Sequence, residues 1–425
     1  MRRASDDALY ARVTRRLVPF LFLCYVAAYL DRVNVGFAKL QMQADLALSD
    51  TVYGIGAGIF FLGYFLFEVP SNLLMARVGA RRWIARIMIS WGLVSAATMF
   101  ASSPATFYLL RFLLGVAEAG FFPGVVLYLT YWYPARRRAR IVALFMSGVA
   151  VAGVLGGPLS GWIMRALADT GGLHGWQWLF LLEGLPSIAL GIWTLFYLDD
   201  GIRSARWLDE DEKARLEAAL AEDGAARGHW ALRHVFGSGR VWLLAAIYFL
   251  FVMGLYGVSF WLPQLIRNSG VQDVFHIGLL TAIPYGVAAV VMVLAARHSD
   301  RSGERRWHTA LAGLAGAAGL MLSIAFADNT FAAMAALSLA TAGILTTFPI
   351  FWSLPTAMLG GMAAAAGIAL INSVGNLAGF ASPYLVGAIR DATASTAQGM
   401  SVLAASLLMG ALLTLFCVRR SGEVL

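Results

Sequence analysis

The sequence predicts an all-α membrane protein whose twelve transmembrane helices form two pseudo-symmetric halves of six helices each. The chain has 425 residues, of which 60% are hydrophobic and 13% are charged, and its mean hydropathy is +0.71. A soluble protein would carry about 25% charged residues. Apolar segments long enough to cross a bilayer recur along the chain, and one loop motif occurs once in each half.

Twelve segments have the length of about 20 mostly apolar residues that matches the hydrocarbon core of a bilayer. Spans 1 to 6 are predicted at residues 17–38, 52–76, 83–103, 106–131, 140–164 and 176–198, and spans 7 to 12 at 241–266, 274–296, 307–327, 330–352, 360–389 and 397–418. We therefore expect an N-terminal half at 1–198, a linker at 199–240 and a C-terminal half at 241–425. The linker segment 206–223 is typical of an amphipathic helix that packs on the bundle or on the membrane surface.

The lysines and arginines predict the orientation of the chain in the membrane. If both termini are cytoplasmic, the cytoplasmic segments carry 25 of these residues and the external connections carry four. The positive-inside rule therefore predicts that both termini are cytoplasmic. The cations lie in short clusters between apolar segments, which is not the pattern of a nucleic-acid-binding face. We expect a lipid bilayer and no nucleic acid among the partners.

A loop motif shows that the two halves are related. The segment ARVGARRW (76–83) aligns with DRSGERRW (300–307) at an offset of 224, with five identical positions. Each copy follows the second span of its half. Internal repeats of this kind build transporters that have a central site between the two halves.

Few ionisable residues lie inside the spans, and such residues mark substrate or proton paths. Asp31 and Arg32 are adjacent in span 1, so their side chains point about 100° apart. Arg111 and Glu118 are seven residues apart in span 4, so they share a face, separated by about 10.5 Å of helix rise. We expect these two span 4 residues to be the partners of the span 1 pair. Tyr29 lies on the same stripe of span 1 as Arg32.

The same four charges suggest a chemistry. Arginine donates two parallel hydrogen bonds to a carboxylate, so two buried arginines predict an anionic substrate. Buried carboxyl groups predict proton carriage, because burial and neighbouring arginines act in opposite directions on their charge. The alternative is that these charges form structural ion pairs that hold spans 1, 2 and 4 together. For Glu68, Arg86 and Glu183, a structural role is favoured over a functional one.

Several longer motifs resemble one protein family. YLDRVN (29–34) and RFLLGVAEAGFFPG (111–124) are similar to the anion:cation symporter branch of the major facilitator superfamily. Within that branch, RHSDRSGERRWH (297–308) and INSVGNLAGFASPYLVG (371–387) resemble bacterial tartrate, phthalate and hydroxyphenylacetate permeases. The resemblance implies a monomeric transporter of the bacterial inner membrane, without a cofactor or metal.

The resemblance also implies roles for individual residues. It assigns proton coupling to Asp31 and Glu118. The substrate-binding residues that it implies are Arg32, Arg111, Tyr29, Tyr64, Trp352 and Asn372. The loop residues that it implies for gating are Arg77, Gly79, Arg81, Asp300, Arg301 and Gly303. The acid expected at the start of the first loop is replaced by Ala76.

The predicted function is a proton-coupled symporter that imports an organic carboxylate, which could be a tartrate-like dicarboxylate, a sugar acid or an aromatic acid. An organic-anion exchanger or exporter on the same fold is the alternative. The resemblance keeps that alternative open, because a glycine–proline signature in span 5 is typical of antiporters of the superfamily, and span 5 carries Gly153, Gly157, Gly161 and Pro158. Small residues there also let helices approach closely and slide. A receptor that binds an anion without moving it is a further alternative. No catalytic motif of an enzyme is present in the sequence.

Overall fold

The computed structural model describes residues 2–225, 236–358 and 361–418, and within these ranges the chain is helical with short connections. The α-helices are α1 Arg2–Val33, α2 Val35–Asp45, α3 Asp50–Val78, α4 Ala80–Ala97, α5 Pro104–Glu118, α6 Phe121–Thr130, α7 Ala135–Met146, α8 Gly148–Ala166, α9 Gly175–Tyr197, α10 Glu210–Ala225, α11 Gly239–Asn268, α12 Val274–Ser302, α13 Arg306–Ala325, α14 Thr330–Phe351, α15 Ser353–Met358, α16 Gly361–Thr393 and α17 Thr396–Cys417.

The predicted spans correspond to these helices. Within the described ranges, eleven helical segments are long and apolar enough to cross a membrane. Span 11, which is the 33-residue helix α16, is not among those eleven. The protein is thus an all-helical membrane protein, as the composition predicts.

Three spans that the sequence predicts as continuous are each built from two helices. Span 1 is α1 and α2, span 4 is α5 and α6, and span 5 is α7 and α8. The break in span 4 lies at Ala119 and Gly120, and Gly120 has φ of 85°. Glycine adopts this left-handed conformation without a steric penalty. The break leaves Glu118 as the last residue of α5.

The two halves meet where small residues let helices approach closely. Span 2 packs on span 11, and span 5 packs on span 8. A Cβ atom at Gly54 would lie 2.3 Å from the carbonyl oxygen of Pro383, and one at Gly157 would lie 2.6 Å from that of Gly278. Such contacts between backbones are how glycine positions helix pairs in membranes.

The linker helix α10 packs on the N-terminal part of α1, as the amphipathic pattern predicts. Arg12 forms an ion pair with Glu212, and Arg215 forms one with Asp6. Residues 226–235 of the predicted linker lie outside the described ranges. Because the spans alternate in direction, the two termini and the linker share one end of the bundle, called here the terminal end. The other end is called the opposite end.

Candidate functional site

Arg32 and Glu118 form a buried ion pair in the middle of the bundle. Arg32 is 8% exposed and Glu118 is fully buried. Arg32 Nη1 also donates to the hydroxyl of Tyr256 in span 7 at 3.2 Å. The guanidinium therefore links spans 1 and 4 to the other half of the molecule. Glu118 lies at the carboxyl end of α5, where the helix dipole favours a neighbouring cation such as Arg32.

Arg111 lies beside Arg32 but has no carboxylate partner among the described residues. Its Nε donates to the carbonyl oxygen of Gly56 at 3.4 Å, and its Nη2 donates to those of Arg32 and Ala57 at 3.4 and 3.5 Å. Its Nη1 has no hydrogen-bond partner, although the side chain is fully buried. A buried charge without a counter-ion is costly, so this position attracts an anion.

Aromatic rings surround the two guanidinium groups. The Phe60 ring centroid lies 5.3 Å from Arg32 Cζ and 5.4 Å from Arg111 Cζ, and Tyr64 lies 5.6 Å from Arg32 Cζ. Cations are attracted to aromatic faces at these distances. Tyr64 is among the substrate-binding residues predicted from the sequence, and Phe60 is not. Its position four residues before Tyr64 places it on the same helix face, and this was the available signal.

Tyr29 lies on the interface between the halves, as its place beside Arg32 in span 1 suggests. Its hydroxyl lies 3.3 Å from Ser259 Oγ in span 7, and the Tyr285 hydroxyl donates to the same oxygen at 3.3 Å. Ser259 therefore joins spans 1, 7 and 8. Nothing in the local sequence pattern marks Ser259, because its role depends on helices that are distant in the chain.

Trp352 and Asn372 come from the C-terminal half. The Trp352 ring lies 4.9 Å from that of Tyr248, within an aromatic cluster that includes Phe351. Asn372 lies beside the carboxyl group of Glu68 in span 2. Both residues lie where spans 10 and 11 face the rest of the bundle.

Asp31 does not share the partners of Arg32. Its carboxyl group accepts hydrogen bonds from Trp91 Nε1 at 2.8 Å, Ser95 Oγ at 2.7 Å and Ser187 Oγ at 2.5 Å. The expectation that span 4 compensates both charges of span 1 is correct for Arg32 and wrong for Asp31. Adjacent helix residues point about 100° apart, and this angle turns Asp31 toward spans 3 and 6.

The repeated loops differ in how they are held. Gly79 and Gly303 adopt positive φ values of 97° and 66°. In the second loop, Asp300 forms an ion pair with Arg305 at 2.6 Å. In the first loop, where the acid is replaced, Asp200 at the end of span 6 accepts a hydrogen bond from the backbone N–H of Arg81 at 2.9 Å. The sequence did not indicate this substitute carboxylate. Arg77 and Arg301 are exposed.

A charged cluster fastens the two halves at the opposite end. Asp50, at the start of span 2, lies 2.8 Å from Lys39 Nζ and 3.0 Å from Arg390 Nη1. Lys39 is buried, with Nζ lying 3.8 Å from the Trp261 ring centroid. Asp391 accepts hydrogen bonds from the first backbone N–H groups of span 2. Lys39, Asp50, Arg390 and Asp391 are called here the opposite-end clamp.

Comparison with known proteins identifies the family. Residues 21–383 match the Major Facilitator Superfamily. The chain belongs to the Major Facilitator Superfamily. Members of this superfamily are secondary transporters, so the protein is a transporter and not an enzyme. Its solved relatives include a D-xylose-proton symporter with a TM-score of 0.75 and 17% identity, over 97% of this chain and 99% of that one. At this identity the likeness shows the superfamily fold.

Closer relatives within the superfamily are known from sequence. NicT of Pseudomonas putida, named as a metabolite transport protein, is 50% identical over 97% of this chain and 94% of its own. A protein of Agrobacterium vitis named as a tartrate transporter is 50% identical over 97% of this chain and 92% of its own. A quinolone resistance transporter of Acinetobacter baumannii is 42% identical over 95% and 93% of the two chains.

Proposed function

We propose that the protein is a proton-coupled symporter that imports an organic carboxylate anion by alternating access. The observation that carries this proposal is Arg111, a buried guanidinium that lies beside Arg32 and has no carboxylate partner in the described part of the chain. A substrate carboxylate would supply the missing charge and would accept two parallel hydrogen bonds from one guanidinium.

The substrate class follows from the two arginines and the aromatic rings beside them. Two guanidinium groups suit a dicarboxylate, and the 50% identity to a protein named as a tartrate transporter supports that choice. Phe60 and Tyr64 would also pack against an aromatic acid. The proposed substrates are a tartrate-like dicarboxylate, a sugar acid or an aromatic acid, with Tyr29, Trp352 and Asn372 completing the binding surface.

Proton coupling would arise from competition for Arg32. A substrate carboxylate that binds Arg32 withdraws this cation from Glu118. An ionised carboxylate that loses its partner in the interior is strongly unfavourable, and a proton removes the charge. Substrate and proton would therefore bind together. Asp31 is the second proposed proton site, surrounded by neutral hydrogen-bond donors.

The orientation of this cycle follows from the distribution of lysine and arginine. The positive-inside rule assigns the terminal end to the cytoplasm, and the helical bundle suits a bacterial inner membrane, since outer membranes hold β-barrels. The opposite-end clamp would then close the external side. The halves would rock about the contacts of span 2 with span 11 and of span 5 with span 8. We propose that a monomer carries out this cycle.

Uptake into proteoliposomes tests the proposal. We expect purified protein to accumulate labelled tartrate, or another carboxylate found by competition, when the outside is acidic. Glu118→Gln should still exchange labelled for unlabelled substrate but should lose uphill accumulation, because it cannot release a proton. Glu222→Gln, on the exposed face of α10, is the matched control and should behave as wild type. Uphill accumulation by Glu118→Gln at the wild-type level would contradict the role of Glu118.

An organic-anion exchanger or exporter is the second candidate. The 42% identity to a quinolone resistance transporter favours it, and so does the close contact of the span 5 glycines with span 8. Internal substrate that stimulates uptake without any pH gradient would identify the exchanger. Efflux driven by an acidic exterior would identify the exporter.

A further inference from the structure

A carboxyl group outside the arginine site, that of Glu183 in span 6, has an incomplete set of partners. The side chain is 4% exposed, and its Oε1 accepts a hydrogen bond from Ser160 Oγ at 2.7 Å. Among the residues that the structure describes, none forms a hydrogen bond with its Oε2. Within the described residues, the charged group that acts on it is Asp31, which is also an acid. An isolated carboxylate in such a place is costly, and the group avoids this cost by binding a proton.

The amide of Asn34 lies beside this carboxyl group. Asn34 is 1% exposed, and within the described residues its Oδ1 and Nδ2 lack a partner at hydrogen-bond geometry. It lies at the break between α1 and α2, only three residues after Asp31. An amide N–H donates to an ionised carboxyl group, and an amide oxygen accepts from a protonated one. Asn34 can therefore be a partner of Glu183 whether or not the carboxyl group carries a proton.

A small cavity of about 20 Å³ lies next to these residues, at the interface between the halves. Asn34 and Ser160 line it from the N-terminal half, and Ser259, Thr281 and Tyr285 line it from the C-terminal half. A cavity needs about 10–15 Å³ of this kind of volume to hold one water. Because its walls come from both halves, a rocking motion changes the access of water to it.

We propose that Glu183 is a proton-binding residue of the transport cycle, loaded and unloaded through the cavity that Asn34 and Ser160 line. The proton passes from water in the cavity to Glu183 Oε2 and returns to water in the other conformational state. The carboxyl group of Asp31 accepts three hydrogen bonds, whereas Glu183 Oε2 has no hydrogen-bond partner within the described residues. For its role in transport, this proposal rests on the proposed proton coupling.

Infrared difference spectroscopy of the reconstituted protein tests proton binding directly and needs no substrate. Between acidic and alkaline buffers, the carbonyl stretch of protonated carboxyl groups should lose one component in Glu183→Gln. Glu222→Gln, altered on the exposed face of α10, should retain that component. An unchanged spectrum for Glu183→Gln would overturn the proposal. If this variant does not fold, Ser160→Ala keeps the carboxyl group but removes its hydrogen bond, and an unshifted band would likewise overturn the proposal.

Transport measurements separate this proposal from the proposed function. With labelled tartrate, or with the carboxylate identified by competition, Glu183→Gln should carry one proton fewer per substrate than wild type. An unchanged proton stoichiometry in a proton-driven wild type would overturn the role of Glu183 alone. If wild type ignores the pH gradient while the infrared component still disappears in Glu183→Gln, proton coupling fails and Glu183 remains a proton-binding group.

Discussion

Arg32 and Glu118 form a buried ion pair between spans 1 and 4, and Arg32 also reaches Tyr256 in the other half. Removing one partner of a buried pair leaves an uncompensated charge, which costs about 3–5 kcal/mol. The pair can therefore open only when another anion reaches Arg32 or a proton reaches Glu118. We therefore expect the ion pair to respond to ligand binding at Arg32. We also expect it to respond to movement of the halves, because Arg32 is hydrogen-bonded to Tyr256 of the other half.

Replacing Arg111 by lysine should weaken substrate binding while the fold is retained. Lysine keeps the charge but cannot donate two parallel hydrogen bonds to one carboxylate. Losing a hydrogen bond to a charged group costs about 1.5–3 kcal/mol, which corresponds to roughly a ten- to hundredfold rise in Kd. Titration calorimetry with the transported carboxylate would measure this change. Wild-type affinity in Arg111→Lys would show that Arg111 is not a substrate ligand.

Lys39→Gln should loosen the opposite-end clamp, because it removes a buried cation from Asp50. We expect a cysteine introduced at Tyr53 to react faster with a membrane-impermeant maleimide in this variant. Arg165→Ala breaks an exposed pair with Asp273 at 3.4 Å and is the matched control, since exposed pairs contribute about 0–1 kcal/mol. Equal labelling rates in Lys39→Gln and Arg165→Ala would contradict a closing role for the clamp.

Gly157→Ala should separate spans 5 and 8, because its Cβ would lie 2.6 Å from the carbonyl oxygen of Gly278. Overpacking of this kind costs about 1–3 kcal/mol. Thermal unfolding in detergent should show a lower Tm. Gly286→Ala is the control, because a Cβ there meets nothing within 4 Å and alanine favours a helix over glycine. A Tm for Gly157→Ala at or above that of wild type would show that the helices have room to adjust.

Asp31→Asn should destabilise the protein, because three donors converge on the carboxyl group. The amide replaces one acceptor oxygen by a donor, which leaves at least one buried donor without a partner. Such a loss costs about 1–3 kcal/mol. Thermal unfolding measures this change, and Ser95→Ala, which removes a single hydrogen bond, should have a smaller effect. If the two variants unfold alike, the convergence of donors on Asp31 contributes little to stability.

Asp273, outside the membrane spans, should make stability depend on pH in the acid range. The backbone N–H of His276 donates to its carboxylate, and with Arg165 and His276 nearby this holds the pKa of Asp273 below its ordinary value. A lowered pKa means that the stabilisation is complete above the ordinary value of about 3.9 and is lost as the pH falls through the folded-state pKa.

The difference in Tm between wild type and Asp273→Ala should therefore be constant near neutral pH and shrink below about pH 4. The Asp273→Asn variant keeps a residue that caps the helix but does not titrate. The difference in Tm between Asp273→Asn and Asp273→Ala should therefore not shrink in acid. A difference between wild type and Asp273→Ala that is independent of pH would contradict the contribution of the charge.

The sequence predicted the helical membrane fold and the family, because hydropathy and the repeated loop are local patterns. It also selected Arg32, Arg111 and Glu118, since charges are rare inside spans. It did not predict the break at Gly120, whose positive φ is a conformational choice. Phe60 was missed, although its position four residues before Tyr64 places it on the same helix face.

By itself, the sequence determined that this chain crosses the membrane repeatedly in two related halves and keeps arginines and acids inside them. Only the tertiary structure decided which charges meet. Arg32 pairs with Glu118, Asp31 turns to Trp91 and two serines, and Arg111 has no carboxylate partner among the described residues. Helix periodicity, which is local, sets the direction in which each charged side chain points. Which helix the side chain then meets depends on packing between segments that are far apart in the chain, and a local sequence pattern does not contain that information.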